Sequence, residues 1–186
     1  MAGVDRYSVP QIYRVITMNA DGQLIIVDGV PSKVDYGFMY HCSSVIASLT
    51  NDANFDMQIT TPEDDYIHMI IEAAGAGTCE LALYEGTVST AGNSEVIYNL
   101  KRTSPRVWGG VMVTNPTVSD VGTLLSAQIM PGGSRNQASG GSASFSLKWI
   151  CKAATKYLVR LTNRSGGTIR ASIGCNHFSS GLIADS

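Results

Sequence analysis

Three histidines and four cysteines are the residues of this chain best suited to hold a metal or carry covalent chemistry, and their spacing argues against both. His41, His68 and His177 stand far apart, with no His-x-His or His-x-x-x-His pairing, so a zinc or iron site needs assembly purely in space. They read as hydrogen-bonded, partly exposed histidines. Cys42, Cys79, Cys151 and Cys175 contain no Cys-x-x-Cys pair. Cys79, Cys151 and Cys175 fall on the apolar side of alternating runs, where a free thiol behaves as a small hydrophobe. Buried thiols are expected, with a cross-strand disulfide only in an oxidising compartment.

The carboxylates Glu63, Asp64 and Asp65, with Glu72 beyond them, cluster on one turn but lack the Asp-x-Asp-x-Asp-Gly spacing of a calcium loop. They read as a solvated connection between strands. A glycosidase with two spatially assembled carboxylates is a third hypothesis, and nothing in the chain selects such a pair. No Gly-x-Ser-x-Gly elbow occurs, and the glycine-rich stretch 131–144 lacks the Gly-Lys-Ser/Thr ending that cradles phosphate. Asn163-Arg164-Ser165 matches the glycosylation triplet without an apolar leader sequence. Trp108, in "SPRVWGGVMV", is the aromatic with a glycine-flanked setting suited to stacking a sugar, against the simpler reading that it plugs the end of the core. No catalytic residue, metal ligand or cofactor site is assigned.

The elements that must position these side chains are strands. In "NFDMQIT", Phe55, Met57 and Ile59 alternate with Asp56, Gln58 and Thr60; "YIHMIIE", "ASFSLKWIC", "KYLVRLTN" and "TIRASIGC" alternate in the same way. The stretch "GTCELALYEG" is one such strand closed by glycine at both ends. Turn residues punctuate the runs at Asp21-Gly22, Pro62 to Asp65, Asn115-Pro116 and Gly166-Gly167. Nine or ten short strands on this spacing predict an all-β fold, an antiparallel sandwich or jelly roll, with helix confined to single turns. Residues 1–35 carry their own hairpin around "NADGQ" and a loose connector, so they form an arm, and residues 36–186 form the sandwich. The stretch 131–144 is expected to be a mobile surface loop, and Trp149 a core residue.

Composition limits the partners. The 186 residues are 44% hydrophobic but only 15% charged, against about 25% in an average globular protein, so the surface is unusually neutral. A net charge of -2 supplies no basic field for nucleic acid. No run of about 18 apolar residues is present to span a bilayer, and the chain is expected to be made in the cytoplasm.

The runs "YIHMIIEAAGAGTCELALYEGTVSTAGNSEVIYNLKRTSP", "TVSDVGTLLSAQIMPGG" and "SFSLKWICKAATKYLVRLTNRSGG" resemble virion structural proteins of tailed bacteriophages, of the head decoration or cement type. The likeness covers residues from about 40 to 180 and is most specific in "ELALYEG", "NLKR" and "KYLVRLTNRSGG". The resemblance implies a non-enzymatic protein that binds the major capsid protein on the exterior of the assembled shell as a homo-oligomer, with a trimer favoured, and stabilises that shell. Contacts are then expected from Tyr7, Tyr13 and Arg14 in the arm, from Arg135 and Asn136 in the glycine loop, and from Trp108. The alternative is a carbohydrate- or receptor-binding module of a head or tail fibre, using Trp108, Tyr98 and the glycine loop.

Overall fold

Alternating apolar residues bury one face of a strand, and two sheets with such faces close on each other to exclude water. The computed structural model describes residues 16–18, 24–26, 33–132, 141–144 and 149–179. The hairpin expected around residues 19–23 is present: β1 (Ile16–Met18) pairs antiparallel with β2 (Leu24–Ile26). A single helical turn at 33–35 is the only helix among the described residues.

Eight segments then wrap into a sandwich. They are β3 (Met39–Leu49), β4 (Asn54–Thr60), β5 (Ile67–Gly75), β6 (Cys79–Glu85), β12 (Thr123–Met130), β13 (Gly141–Ser144) with β14 (Trp149–Cys151), β15 (Lys156–Asn163) and β16 (Ile169–Ser179). One sheet runs β13-β5-β16-β3, with β14 also on β5, and the other runs β12-β6-β15-β4. The chain alternates between sheets except at β6 and β12, which are neighbours, and this order is that of a jelly roll. Inward side chains interleave in a single core that includes Phe55, Met57, Ile71, Leu81, Tyr157 and Ile173.

Between β6 and β12 the chain makes a long excursion through β7 (Val88–Thr90), β8 (Asn93–Ser94), β9 (Tyr98–Asn99), β10 (Val111–Thr114) and β11 (Thr117–Asp120). β10 and β8 extend one sheet beyond β4, and β9 extends the other beyond β3. Extension covers edges that would otherwise present unpaired amides. The β7/β11 ribbon lies against the outer face of the second sheet, where the Ser89 hydroxyl donates to Gln58 Oε1 and Lys156 Nζ donates to the Ser89 carbonyl at 3.0 Å.

This covering changes three assignments made from alternation. Asp56, Gln58 and Leu158 sit on the outer face yet are buried. "ASFSLKWIC" contributes to β13 at its start and supplies β14 at its end, both paired with β5, while residues 145–148 lie outside the described set. Gly141–Ser144, expected within a loop, pairs with β5 as β13, while residues 133–140 lie outside the described set. Trp149 is half-buried and packs on the core from its margin.

Candidate functional site

Three segments meet at one end of the sandwich, and specific contacts hold each in place. Residues 33–38 turn back on themselves through Gly37 N–H to Val34 O, 2.9 Å, and Phe38 N–H to Lys33 O, 2.8 Å. Gly37 has φ 72 and a Cβ there would lie 2.5 Å from Ser104 Oγ, so glycine permits this segment to press on the 100–106 loop. Buried Asn99 clamps the two, its amide donating to Gly37 O at 2.9 Å and Arg106 O at 3.3 Å, while its Oδ1 accepts from Lys101 N–H. The third segment, 61–66, is fixed by Thr61, whose hydroxyl donates to Lys152 O at 2.7 Å, and by Ala154 N–H to Pro62 O.

Between these segments lies a cleft of about 340 Å³, lined by Phe38, Tyr40, Pro62, Asp65, Arg106 and Trp108 together with Val107 and Gly109. Exposed apolar and aromatic residues border it: Val107 is 88% exposed, and Tyr36 and Tyr66, in the segments that supply lining residues, are each 58% exposed. Cationic side chains lie flat on aromatic rings, Arg106 4.3 Å from Phe38 and Arg102 5.0 Å from Tyr98. Such stacking holds a guanidinium in place while leaving its donors available.

The floor of the cleft is an aromatic stack. Tyr40 and His177 are stacked with centroids 5.6 Å apart, and Trp108 meets His177 at 4.1 Å. His177 is fully buried and neither ring nitrogen has a hydrogen-bond partner, nor does Trp108 Nε1. Burial, with neighbouring His41 as the smaller cause, lowers the His177 pKa to about 3. His177 thus departs from the expected exposed, hydrogen-bonded histidine. His41 fits it, bonding Asn176 through Nδ1 at 2.9 Å.

Of the residues marked for contact in the sequence, Tyr7, Tyr13, Arg14, Arg135 and Asn136 lie outside the described residues. Trp108 is 8% exposed, belongs to the core and offers no open ring face for a sugar. Tyr98 is exposed and pairs with His41 in β9, away from the residues that line the cleft. The Asn163 amide is buried and donates to Leu49 O and Gly167 O, which removes it as a glycan acceptor. All four cysteines are buried free thiols, and burial raises each thiol's pKa, Cys42 to about 11 and Cys151 to about 12. Among the described residues no group of three metal-ligating side chains occurs.

Sequence reasoning missed Tyr36, Tyr66, Val107, Arg102 and Arg106. Val107 carried a faint signal, an apolar residue out of phase with Trp108 in a Pro/Gly-bounded loop; Tyr36 and Tyr66 carried none. No family model matches this chain, and no curated protein matches it. Geometry therefore carries the functional reading. Tyrosine and arginine around an apolar centre are the side chains enriched where proteins bind other proteins.

Proposed function

We propose that this protein is a non-enzymatic decoration protein that binds the exterior of an assembled viral capsid shell, through its major capsid protein, and stabilises it as an oligomer. The observation that carries the reading is the exposed tyrosine, valine and arginine rim at the end of the jelly roll where residue 33 joins the body. Residues 33–38, the first described residues of the body, border this rim, and residues 1–35 are assigned to the contact as well. Jelly rolls occur among viral capsid and lectin domains, an analogy of fold that supports the reading without deciding it. The carbohydrate-binding alternative loses Trp108 as a stacking ring and retains exposed Tyr98.

Mixing the purified chain with capsid shells stripped of accessory proteins, then sedimenting them, tests the reading. Saturable co-sedimentation is the expected result, with greater resistance of decorated shells to heat. A chain that never follows the shells rejects it. A chain lacking residues 1–35 is expected to lose binding while keeping its β-sheet circular dichroism, and undiminished binding removes the arm from the contact.

A further inference from the structure

Of the strands that end the two large sheets, one is unlike the rest. β8 and β9 are two residues long each, and the β13/β14 edge is built of strands of four and three residues. β12 ends the second sheet on the side away from β8, runs for eight residues and, among the described residues, pairs only with β6. Short edge strands, charged side chains and proline are the usual means of keeping an edge from pairing with another chain. "TLLSAQIM" has neither charge nor proline, and its Leu124 and Ile129 are 54% and 77% exposed. Its one interruption is a bulge between Leu124 and Ser126, so the regular open edge runs from Ser126 to Met130. Ser126, Gln128 and Met130 lie beside the buried Leu83, Leu81 and Cys79 of β6 and face inward, while exposed Ala127 and Ile129 lie beside Ala82 and Glu80 and face out.

We infer that this edge is the contact between two copies of the chain, β12 pairing antiparallel with β12 about a two-fold axis perpendicular to the sheet. Such an axis brings one edge onto the identical edge and joins two six-stranded sheets into one continuous sheet with its outer faces on the same side. The midpoint of the regular stretch is Gln128. With Gln128 on the axis, Ala127 of one copy stands opposite Ile129 of the other on the outer face, and Ser126 opposite Met130 on the inner face, so every side chain keeps its side. Large Ile129 then sits beside small Ala127, and no charge stands against like charge. Main-chain groups accept any strand; it is this charge-free symmetry of face and register that selects a second copy. β6 and β15 lie between the edge and β4, whose end leads to Pro62 of the cleft, so pairing leaves the cleft open and the inference stands without the shell-binding reading.

Sedimentation of the full chain across micromolar concentrations, with no shells present, tests it. The wild type is expected to pass from monomer to dimer, and added salt is expected to leave the dimer intact because no ion pair holds it. Ala127→Glu/Ile129→Glu and Ala127→Lys/Ile129→Lys each set like charge against like charge across the axis and are expected to run as monomers, with the dissociation constant raised about 100-fold or more. An equimolar mixture of the two variants sets Glu opposite Lys on both sides of the axis and is expected to recover the dimer. Both positions are exposed, so each variant is expected to fold, as circular dichroism and melting temperature check. Amide hydrogen exchange in the wild type is expected to slow over Ser126–Met130 as the dimer forms. A wild type that stays monomeric or runs as a trimer overturns the inference, as do a dimer with unchanged exchange over this stretch, variants that remain dimeric or a mixture that stays monomeric. Because shells are absent, failure here leaves the shell-binding proposal standing, and failure to bind shells leaves this one standing.

Discussion

Trp108 and His177 lie with ring centroids 4.1 Å apart and planes tilted by 52°, and this contact seals the end of the core beneath the cleft. It joins a loop of the β6–β12 excursion to the last strand, two regions far apart in the chain. The imidazole enters this contact neutral and without a hydrogen-bond partner.

A pH dependence follows. The unfolded chain binds a proton on this histidine near pH 6.5, whereas the folded one resists until about pH 3, so stability is intact above pH 6.5 and is lost as pH falls. The loss is about 1.4 kcal/mol per pH unit across that window. Urea unfolding at about pH 7 and about pH 4.5 is expected to show His177→Phe losing about 2–3 kcal/mol less than the wild type over the interval. Equal losses in the two proteins assign the dependence to other groups.

Arg160 grips Asp56 with two bonds, Nε to Oδ1 at 2.8 Å and Nη2 to Oδ2 at 2.7 Å, on the outer face of the second sheet. The β7/β11 ribbon covers that face, and the side chains are only 20% and 10% exposed. Asp56→Ala leaves a guanidinium unpaired where water is scarce, and is expected to cost about 3 kcal/mol by chemical denaturation. Replacing both by Leu and Met is expected to cost less than either single removal, because no unpaired charge is left behind. A cost below about 1 kcal/mol for Asp56→Ala shows that the pair is solvent-screened.

The four thiols are expected to be silent in the native protein. All are buried, Cys42 lies directly across from Cys175 in adjacent strands, and burial holds each above its ordinary pKa. A thiol reagent at about pH 8 is expected to label none in the folded chain and four after unfolding, since only thiolate reacts. Rapid labelling of the native protein identifies a strand that opens locally.

Gly110 makes room for the indole. A Cβ at this position would lie 2.5 Å from two ring carbons of Trp108 and 2.6 Å from the Thr60 carbonyl. Gly110→Ala is expected to displace the ring, cost about 1–3 kcal/mol and shift tryptophan emission to the red. An unchanged spectrum and stability show that the loop moves instead.

Much of the fold was legible residue by residue. Phe55, Met57 and Ile59 in β4, and Tyr157, Val159 and Leu161 in β15, face the core as alternation requires, because the side-chain period of a strand is local. Burial of Cys79, Cys151 and Cys175 followed from the same reasoning, whereas Trp108, marked for contact, was placed in the core only by the general habit of aromatic rings. Burial of Gln58 was not legible, because the ribbon that reaches it through Ser89 lies 31 residues away, and no period within β4 encodes a distant cover.

By itself the sequence determined strand identity, the inward face of most strands, the turns and the lack of a spaced catalytic or metal motif. These depend on neighbours within a few residues. Only the tertiary structure decided the jelly-roll order, the excursion that extends both sheets, the unpartnered His177 and the cleft above it. Residues 38, 65 and 107 come to line one cleft through chain crossings, and the entropy of closing such loops changes so slowly with length that many pairings compete until the whole core selects one.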